Sequence, residues 1–242
     1  MAVKPLLSLQ RALAVLEAVA EHQPIGVAAL ARLLDEDKSA LQRVLVTLDA
    51  CGWIRASGDG ATRWELSARP LAIASQAQRR SGLIASARPT MEDLRDATGE
   101  TVTLALPDTD RIVAIDVVES LHMVRSAPRI GMVFPAETSA AGLALFAHLD
   151  DVDIAPFVAD LAQPRFRVDL DDTRRRGWSL NAGAVDLSAT SVGAAVLDAA
   201  GRPVAALVVS APSDRLTAEH YEKAGRLVAE AAALLSPRST AG

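Results

Sequence analysis

The sequence has 242 residues, of which 50% are hydrophobic and 3% aromatic, and its formal net charge is −5. Such a length allows one large domain or two smaller ones, each with an apolar core. The negative charge excludes a protein that coats nucleic acid indiscriminately, although it leaves room for a small DNA-reading module. Residues 1–80 carry ten basic and eight acidic side chains, whereas the remainder carries 15 basic and 22 acidic ones. The weak basic excess therefore lies in the N-terminal third.

The chain has one cysteine, Cys51, which cannot form an internal disulfide. No apolar run of about 18 residues is present to span a membrane. The N-terminus also lacks the basic, apolar and small-residue order of a secretion signal. These features predict a cytoplasmic protein without a membrane partner.

Two short helices are predicted at the start of the chain. Ser8 is expected to cap the first, because its hydroxyl can accept an early backbone N–H. Apolar residues from Leu9 to Ala20 form the expected buried stripe of this helix, and Pro24 ends it. A second helix is predicted over about residues 27–34.

A third helix, at residues 37–49, has apolar residues at positions 41, 44, 45 and 48, which places them on one buried face. Asp37 or Lys38 marks its start and Gly52 its end. A solvated surface helix shares this pattern, so the neighbouring elements decide between the two interpretations. The opposite face carries donors suited to base edges and phosphates, and it predicts a recognition helix with these DNA contacts: Lys38, Ser39, Gln42, Arg43 and Thr47.

Two strands are predicted after the third helix, at residues 53–55 and 63–66, with a glycine-containing turn at residues 57–60. A hairpin directly after a helix-turn-helix is typical of a wing. Arg63 is the predicted DNA contact of this wing, and Arg55 is a second candidate.

The rest of the chain is predicted to form a connecting helix and a sheet domain. Strands and helices follow one another without strict βαβ alternation, which favours the α+β class. The expected organisation is a winged helix-turn-helix domain at residues 1–67, a linker helix at 68–82 and a sheet domain at 83–242. Within the sheet domain, residues 121–126 are expected to form a strand and residues 152–161 a helix.

Six short motifs occur in order along the chain, at residues 8–13, 38–48, 99–102, 115–120, 174–178 and 193–207. Together they resemble the IclR (isocitrate lyase regulator) family of bacterial transcription factors over nearly the whole chain. The resemblance implies a winged helix-turn-helix domain, a linker helix and a C-terminal effector domain similar to the GAF fold. It also implies a homodimer or tetramer that binds double-stranded operator DNA and responds to a small metabolite, often an organic acid.

The resemblance further implies the position of an effector pocket. Backbone N–H groups at the start of the helix near Ala140 are suited to hold a carboxylate, and hydroxyls can add donors. Glu137 would disfavour an anionic ligand if it pointed into the pocket. The residues that the resemblance assigns to the pocket are Met123, Ser126, Ala140, Ala141, Asn181, Ser191, Val208 and Ser210.

Two other functions compete with this interpretation. A hydrolase is disfavoured, because no Gly-x-Ser-x-Gly elbow occurs and Ser139 fits a helix N-cap better than a nucleophile. The four histidines are scattered and no Gly-x-Gly-x-x-Gly or P-loop is present, so no metal site and no cofactor is predicted. The second competitor is a winged-helix module for protein contact with a small-molecule sensor domain. The polar recognition face favours DNA over such a contact.

Overall fold

The N-terminal unit, Met1–Ser81, combines short helices with a three-stranded antiparallel sheet. The computed structural model describes residues 4–57 and 62–236, and gives no side-chain detail for residues 77–81. Residues 58–60 of the predicted turn thus lie outside the described residues. The elements of this unit are α1 (Leu7–His22), β1 (Ile25–Gly26), α2 (Val27–Leu34), α3 (Lys38–Ala50), β2 (Ile54–Ser57), β3 (Arg63–Leu66) and α4 (Arg69–Ser81).

One apolar core holds the three helices and the small sheet of this unit together. Leu30 of α2 and Leu41 and Leu45 of α3 are completely buried in it, and Trp64 of β3 closes it from the sheet side. Strand β3 is central in the order β1-β3-β2, with Trp64 opposite Ile25 and Ala56. The predicted helix-turn-helix with a strand hairpin is confirmed.

The first helix differs from its sequence prediction in its start and in its buried face. Ser8 lies inside α1 and does not cap it, because the helix begins at Leu7 with no side-chain cap. Leu9 and Leu13 of the predicted stripe are 56% and 50% exposed. Burial is instead concentrated in the second half of α1, at Val15, Ala18 and Val19, because only this half packs into the core of the unit.

The C-terminal unit, Gly82–Gly242, is built on a six-stranded antiparallel sheet with strand order β6-β5-β4-β9-β8-β7. The α+β class is confirmed, and no helix among the described residues is long and apolar enough to cross a membrane. The elements are α5 (Leu83–Thr98), β4 (Thr101–Asp108), β5 (Arg111–Val118), β6 (Val133–Phe134), α6 (Ala140–Phe146), α7 (Asp151–Ile154), α8 (Pro164–Arg176), β7 (Ser179–Ala182), β8 (Ala189–Leu197), β9 (Pro203–Pro212) and α9 (Ala218–Leu235).

The two faces of this sheet carry separate apolar cores. Met91 of α5 and Val228 of α9 are buried against one face. Phe146 of α6 and Phe166 of α8 are buried against the other, with their ring centroids 6.2 Å apart in an edge-on arrangement. Helices on both faces bury the central strands completely, which accounts for the continuous apolar runs in β4 and β9.

Two local predictions in this unit are wrong, and one strand was not predicted. Residues 121–126 form no strand, and the helix predicted at 152–161 is limited to Asp151–Ile154. The strand Ser179–Ala182 gave no clear strand pattern in the sequence. In residues 121–126 the backbone oxygens of Val124 and Ser126 accept hydrogen bonds from the Arg215 and Thr101 side chains. These side-chain donors, rather than a neighbouring strand, hold the segment.

Gly225 is the point at which α9 contacts Trp178, the residue that precedes β7. A Cβ atom placed on Gly225 would lie 2.2 Å from Cδ2 and 2.4 Å from Cε2 of the Trp178 ring. Trp178 is 4% exposed and therefore has no open space into which to move. The helix can reach this distance from the ring only with glycine at position 225.

Gly225→Ala is expected to lower the free energy of unfolding by about 1 to 3 kcal/mol, since overpacking a rigid core costs about this much. Alanine stabilises a helix by up to about 1 kcal/mol relative to glycine. An effect of helix propensity alone would therefore raise the free energy of unfolding. Urea unfolding of the full chain measures the change. The double variant Gly225→Ala with Trp178→Leu should lose less than the sum of the two single changes, and strict additivity would contradict the contact.

Candidate functional site

The outward face of α3 carries the five side chains predicted to contact DNA. Lys38, Ser39, Gln42, Arg43 and Thr47 are all exposed, whereas the opposite face of the same helix is buried. Two of these five side chains already make a hydrogen bond to the helix or its N-cap. Ser39 Oγ donates to Asp37 Oδ1 at 2.5 Å, and Thr47 Oγ1 donates to the Arg43 carbonyl at 2.8 Å.

The start of α3 is fixed by Asp37. Its Oδ1 accepts the backbone N–H of Ser39 at 2.9 Å and that of Ala40 at 3.0 Å. The Ser39 hydroxyl and these two N–H groups hold the pKa of the Asp37 carboxyl below its ordinary value. The cap therefore stays ionised at neutral pH and sets the orientation of the first turn, which carries Lys38 and Ser39.

The wing arginines have different surroundings. Arg63 on the central strand β3 is exposed, and its Nη1 donates to the Pro24 carbonyl at 3.3 Å. Arg55 lies opposite Glu65 across the β2–β3 pair, and Arg55 Nε is 2.7 Å from Glu65 Oε1. Glu65 neutralises Arg55 locally, so Arg63 is the better candidate for a phosphate contact.

A cavity of about 190 Å³ opens on the α6 face of the sheet. Its floor belongs to a row of polar residues that crosses four neighbouring strands in register, from Asn181 on β7 through Ser191 on β8 and Ser210 on β9 to Thr101 on β4. Ser191 Oγ and Ser210 Oγ are 2.8 Å apart and share one hydrogen bond. The remaining hydroxyl capacity of this pair is available to a ligand.

Seven of the eight predicted pocket residues line this cavity, and the eighth does not. Met123 is 97% exposed and lies away from the cavity wall, in the segment that forms no strand. The residues that the structure brings together are Ser126, Ala140, Ala141, Asn181, Ser191, Val208 and Ser210.

Eight further residues line the cavity without having been predicted. Ser139 was available to sequence reasoning, because it was expected as the N-cap next to Ala140, and its Oγ indeed accepts the Gly142 N–H at 3.1 Å. Asp186 and its neighbours lie in a turn whose sequence does not reveal that it folds over the cavity. The eight are Ala127, Pro128, Met132, Phe134, Ser139, Val185, Asp186 and Ala189.

Asn181 holds two loops of the cavity together. Its Nδ2 donates to the Thr138 carbonyl just before α6, and its Oδ1 accepts the Ala184 N–H at 3.0 Å in the turn after β7. Both ends of the amide are thus engaged by the protein. Asn181 positions the walls of the cavity more than it offers free donors to a ligand.

The charged residues around the cavity differ from those expected at a binding site for a simple anion. Glu137 points away from it, since its Oε1 accepts the Ala159 N–H at 3.0 Å. No lysine or arginine lines the cavity among the described residues, and Asp186 does. The Ser188 hydroxyl and backbone N–H donate to Asp186 Oδ1 and hold the pKa of its carboxyl below the ordinary value.

One buried hydroxyl next to the cavity has no hydrogen-bond partner in the described structure. Thr103 on β4 is completely buried, and its Oγ1 makes no hydrogen bond there. Thr103 pairs with Val208, which lines the cavity, so both side chains lie on the same face of the sheet. Burial of this hydroxyl therefore lowers the stability of the fold, because no hydrogen bond offsets the loss of its contact with water.

Comparison with known families gives two matches that together span most of the chain. The family model described as "IclR helix-turn-helix domain" matches residues 8–58. The one described as "Bacterial transcriptional regulator IclR C-terminal" matches residues 75–237, which is more than half of the sequence.

Individual proteins show the same similarity. The Transcriptional repressor IclR of Escherichia coli is 28% identical over 239 residues, covering 93% of this chain and 87% of that protein. The HTH-type transcriptional regulator BhcR of Paracoccus denitrificans is 29% identical over 250 residues, covering 97% and 89%. The crystal structure of the Thermotoga maritima IclR has the same fold, with a TM-score of 0.75, 23% identity and coverage of 94% and 96%.

Thr103→Val is expected to raise the free energy of unfolding by about 1 kcal/mol, because it removes an unsatisfied buried hydroxyl and preserves the shape of the side chain. Thermal and urea unfolding of the full chain measure this change. Thr190→Val is the matched control, since Thr190 is also buried but its Oγ1 is bonded to Ser213 Oγ at 3.2 Å. That variant should lose stability. If Thr103→Val lost as much, the hydroxyl must have a partner.

Proposed function

Because the chain belongs to the IclR family of bacterial DNA-binding transcriptional regulators, we propose that it recognises a specific operator and that a small organic acid in the cavity of its C-terminal effector domain changes this recognition. Membership also makes the chain a regulator and not an enzyme, as the missing catalytic motifs predicted. The observation that carries the proposal is the exposed donor face of α3 on a capped helix with a fully buried opposite face.

Three side chains on this face are proposed to make most of the contacts. Gln42 and Arg43 have the geometry for bidentate hydrogen bonds to adenine and guanine edges in the major groove. Lys38 in the first turn suits a phosphate as a point charge. Ser39 and Thr47, which have shorter side chains, add further DNA contacts. Arg63 binds the phosphate backbone of the DNA from the wing.

A two-fold dimer is the proposed DNA-binding form, with a dimer of dimers as the larger assembly. α1 exposes apolar side chains that no other element of its unit covers: Leu7 is 79%, Leu9 56% and Leu13 50% exposed. Contiguous exposed apolar surface of this kind suits a protein contact. Two recognition helices related by a two-fold axis would read a near-palindromic operator.

The proposed acid would lie between the first turn of α6 and the polar row of the sheet. The N–H groups of Ala140 and Ala141 precede the first intrahelical bond of α6, so the helix itself offers them no acceptor. The Ser191–Ser210 pair adds one further hydroxyl donor from the floor, since the other O–H is used in the bond between the two serines. With Glu137 engaged elsewhere, its carboxylate does not oppose an anionic group in this place.

A winged-helix module that binds a protein partner is the second candidate function. The two candidates differ in their dependence on salt, because binding to DNA releases condensed counterions and weakens steeply as salt is added. A fluorescence-anisotropy titration against DNA from the region upstream of the gene, at two salt concentrations with unrelated DNA as the control, separates them. Tight, salt-sensitive and sequence-preferring binding supports the operator proposal.

Arg43→Ala is expected to weaken operator binding about 5- to 150-fold and to relax the preference at one base position, which is the usual effect of losing a base-reading side chain. Lys38→Ala should weaken binding to operator and unrelated DNA alike. Anisotropy titrations with single-base operator variants measure both. Arg226→Ala is the matched control, since Arg226 on α9 is paired with Glu222 in the other unit. Unchanged operator binding by Arg43→Ala would refute the assigned role.

The double variant Ser191→Ala/Ser210→Ala is expected to lose about tenfold or more in affinity for the acid that binds the wild-type chain, because the hydroxyl pair that donates to the acid is removed. Operator binding without the acid should stay unchanged. Calorimetric titration with the most stabilising acid from a panel of short carboxylates measures the loss. Ser86→Ala on the exposed side of α5 serves as the control. Equal affinity of the double variant would place the acid outside this cavity.

A further inference from the structure

Asp186 is the single ionisable side chain on the wall of the cavity among the residues that the structure describes. Its neighbours on the wall are alanines, serines, Asn181 and a few larger apolar side chains. No ion pair of Asp186 occurs in the described part of the chain, so its charge is not neutralised by a salt bridge. A bound ligand therefore meets one negative charge, on an exposed side chain at the wall of the cavity.

The carboxylate of Asp186 is held in place and kept ionised by its own turn. Ser188 donates twice to Oδ1, from its N–H at 2.8 Å and its hydroxyl at 2.7 Å, which lowers the pKa of the carboxyl. The second oxygen, Oδ2, remains for a further donor. The turn itself is fixed by Ala189, whose N–H donates to the Asp186 carbonyl at 3.0 Å, and by Asn181 at its start. The charge is thus positioned before any ligand arrives.

The cavity volume sets the scale of the group that the cavity encloses. A volume of about 190 Å³ has room for several water-sized groups, so a short ligand of about six to eight non-hydrogen atoms suits it. A simple acid of this size would bring its negative charge near that of Asp186, and no lysine or arginine lines the described wall to attract the acid. A group that donates to Asp186 removes this conflict.

We infer that the effector is a short amino acid. Its ammonium group binds Asp186, while its carboxylate faces the Ser191–Ser210 pair and the backbone N–H groups at the start of α6. This inference rests on the proposed function, since it narrows the class of the organic acid. A charge-assisted N–H⁺···O⁻ bond is stronger than the bond that a neutral hydroxyl would make to the same oxygen. The ammonium group therefore distinguishes an amino acid from the hydroxy acid and the plain acid of equal size.

Matched ligands test the inference on the full-length chain at neutral pH. Alanine, lactate and propionate differ only in carrying an ammonium, a hydroxyl or a hydrogen at one carbon, and 4-aminobutyrate with butyrate forms a longer pair. Calorimetry and ligand-dependent melting temperature report the affinities, because a ligand that binds only the folded state stabilises it. We expect at least one amino acid to bind about tenfold or more tightly than its deaminated partner, in keeping with the strength of charge-assisted bonds.

Asp186→Asn is the central variant, since asparagine keeps the Oδ1 acceptor of the turn and replaces the charged Oδ2 by a neutral amide donor. It should bring the affinity for the amino acid to within about twofold of that for the plain acid, because the amide NH2 accepts no hydrogen bond from the ammonium group. Asp160→Asn is the matched control, because Asp160 is also exposed and its Oδ1 accepts the Ala162 N–H at 3.0 Å in a similar turn, away from the cavity. The control should keep the wild-type preference.

Several outcomes would overturn the inference. Equal or tighter binding of lactate or propionate by the wild-type chain would do so, as would an unchanged preference in Asp186→Asn. Propylamine, which lacks a carboxylate, should bind weakly, and binding equal to that of alanine would also count against an amino acid. If no ligand of the panel binds while operator binding persists in the same preparation, the ligand class is wrong and the DNA-binding proposal stands. Loss of operator binding alone would refute the latter separately.

Discussion

The close approach of α6 to the sheet is the contact on which the C-terminal site depends. A Cβ atom on Gly193 would lie 3.0 Å from the Ala140 carbonyl oxygen, and one on Gly142 would lie 1.9 Å from that of Ala136. Ser179 Oγ donates a hydrogen bond to the same Ala140 oxygen at 2.6 Å. Gly193 and the Ser179 hydroxyl thus bring the first turn of the helix directly onto the sheet, and Gly142 lets the loop before α6 pack against the same turn. The cavity is the space left beside this contact, above the polar row of the sheet.

Two arginines of this unit bond to other parts of the protein, and among the described residues no cation lines the cavity. Arg215 makes two bonds to the buried carboxylate of Glu100, at 2.6 and 2.8 Å, and one to the Val124 carbonyl at 2.9 Å. Arg174 donates to the Ala147 and Leu149 carbonyls just after α6. Both guanidinium groups therefore bond to backbone oxygens or to a buried carboxylate. Among the described residues, Asp186 is the one charged side chain that a ligand meets on the cavity wall.

Elements with strong local signals were predicted well, and those that depend on distant partners were not. α3 and α5 agree closely with their predictions, because the Asp37 cap and the left-handed Gly99 at φ 75° define their ends within a few residues. β1 has two residues and exists only through its pairing with β3. The buried face of α1 was predicted correctly at Leu16 and Val19 and wrongly at Leu9 and Leu13, since the core touches only the second half of that helix.

The sequence by itself determined the family, the order of the domains' elements and the donor face of α3, because ordered motifs, caps and helical periodicity are local properties. It also supplied seven residues of the cavity wall through resemblance. Only the tertiary structure decided that Met123 stands apart and that Asp186 joins the wall. The pairing of strands distant in sequence aligns Thr101, Ser191 and Ser210 in one row. The fold of a turn anchored by Asn181 adds the charge, and neither long-range pairing nor loop direction is encoded in local pattern.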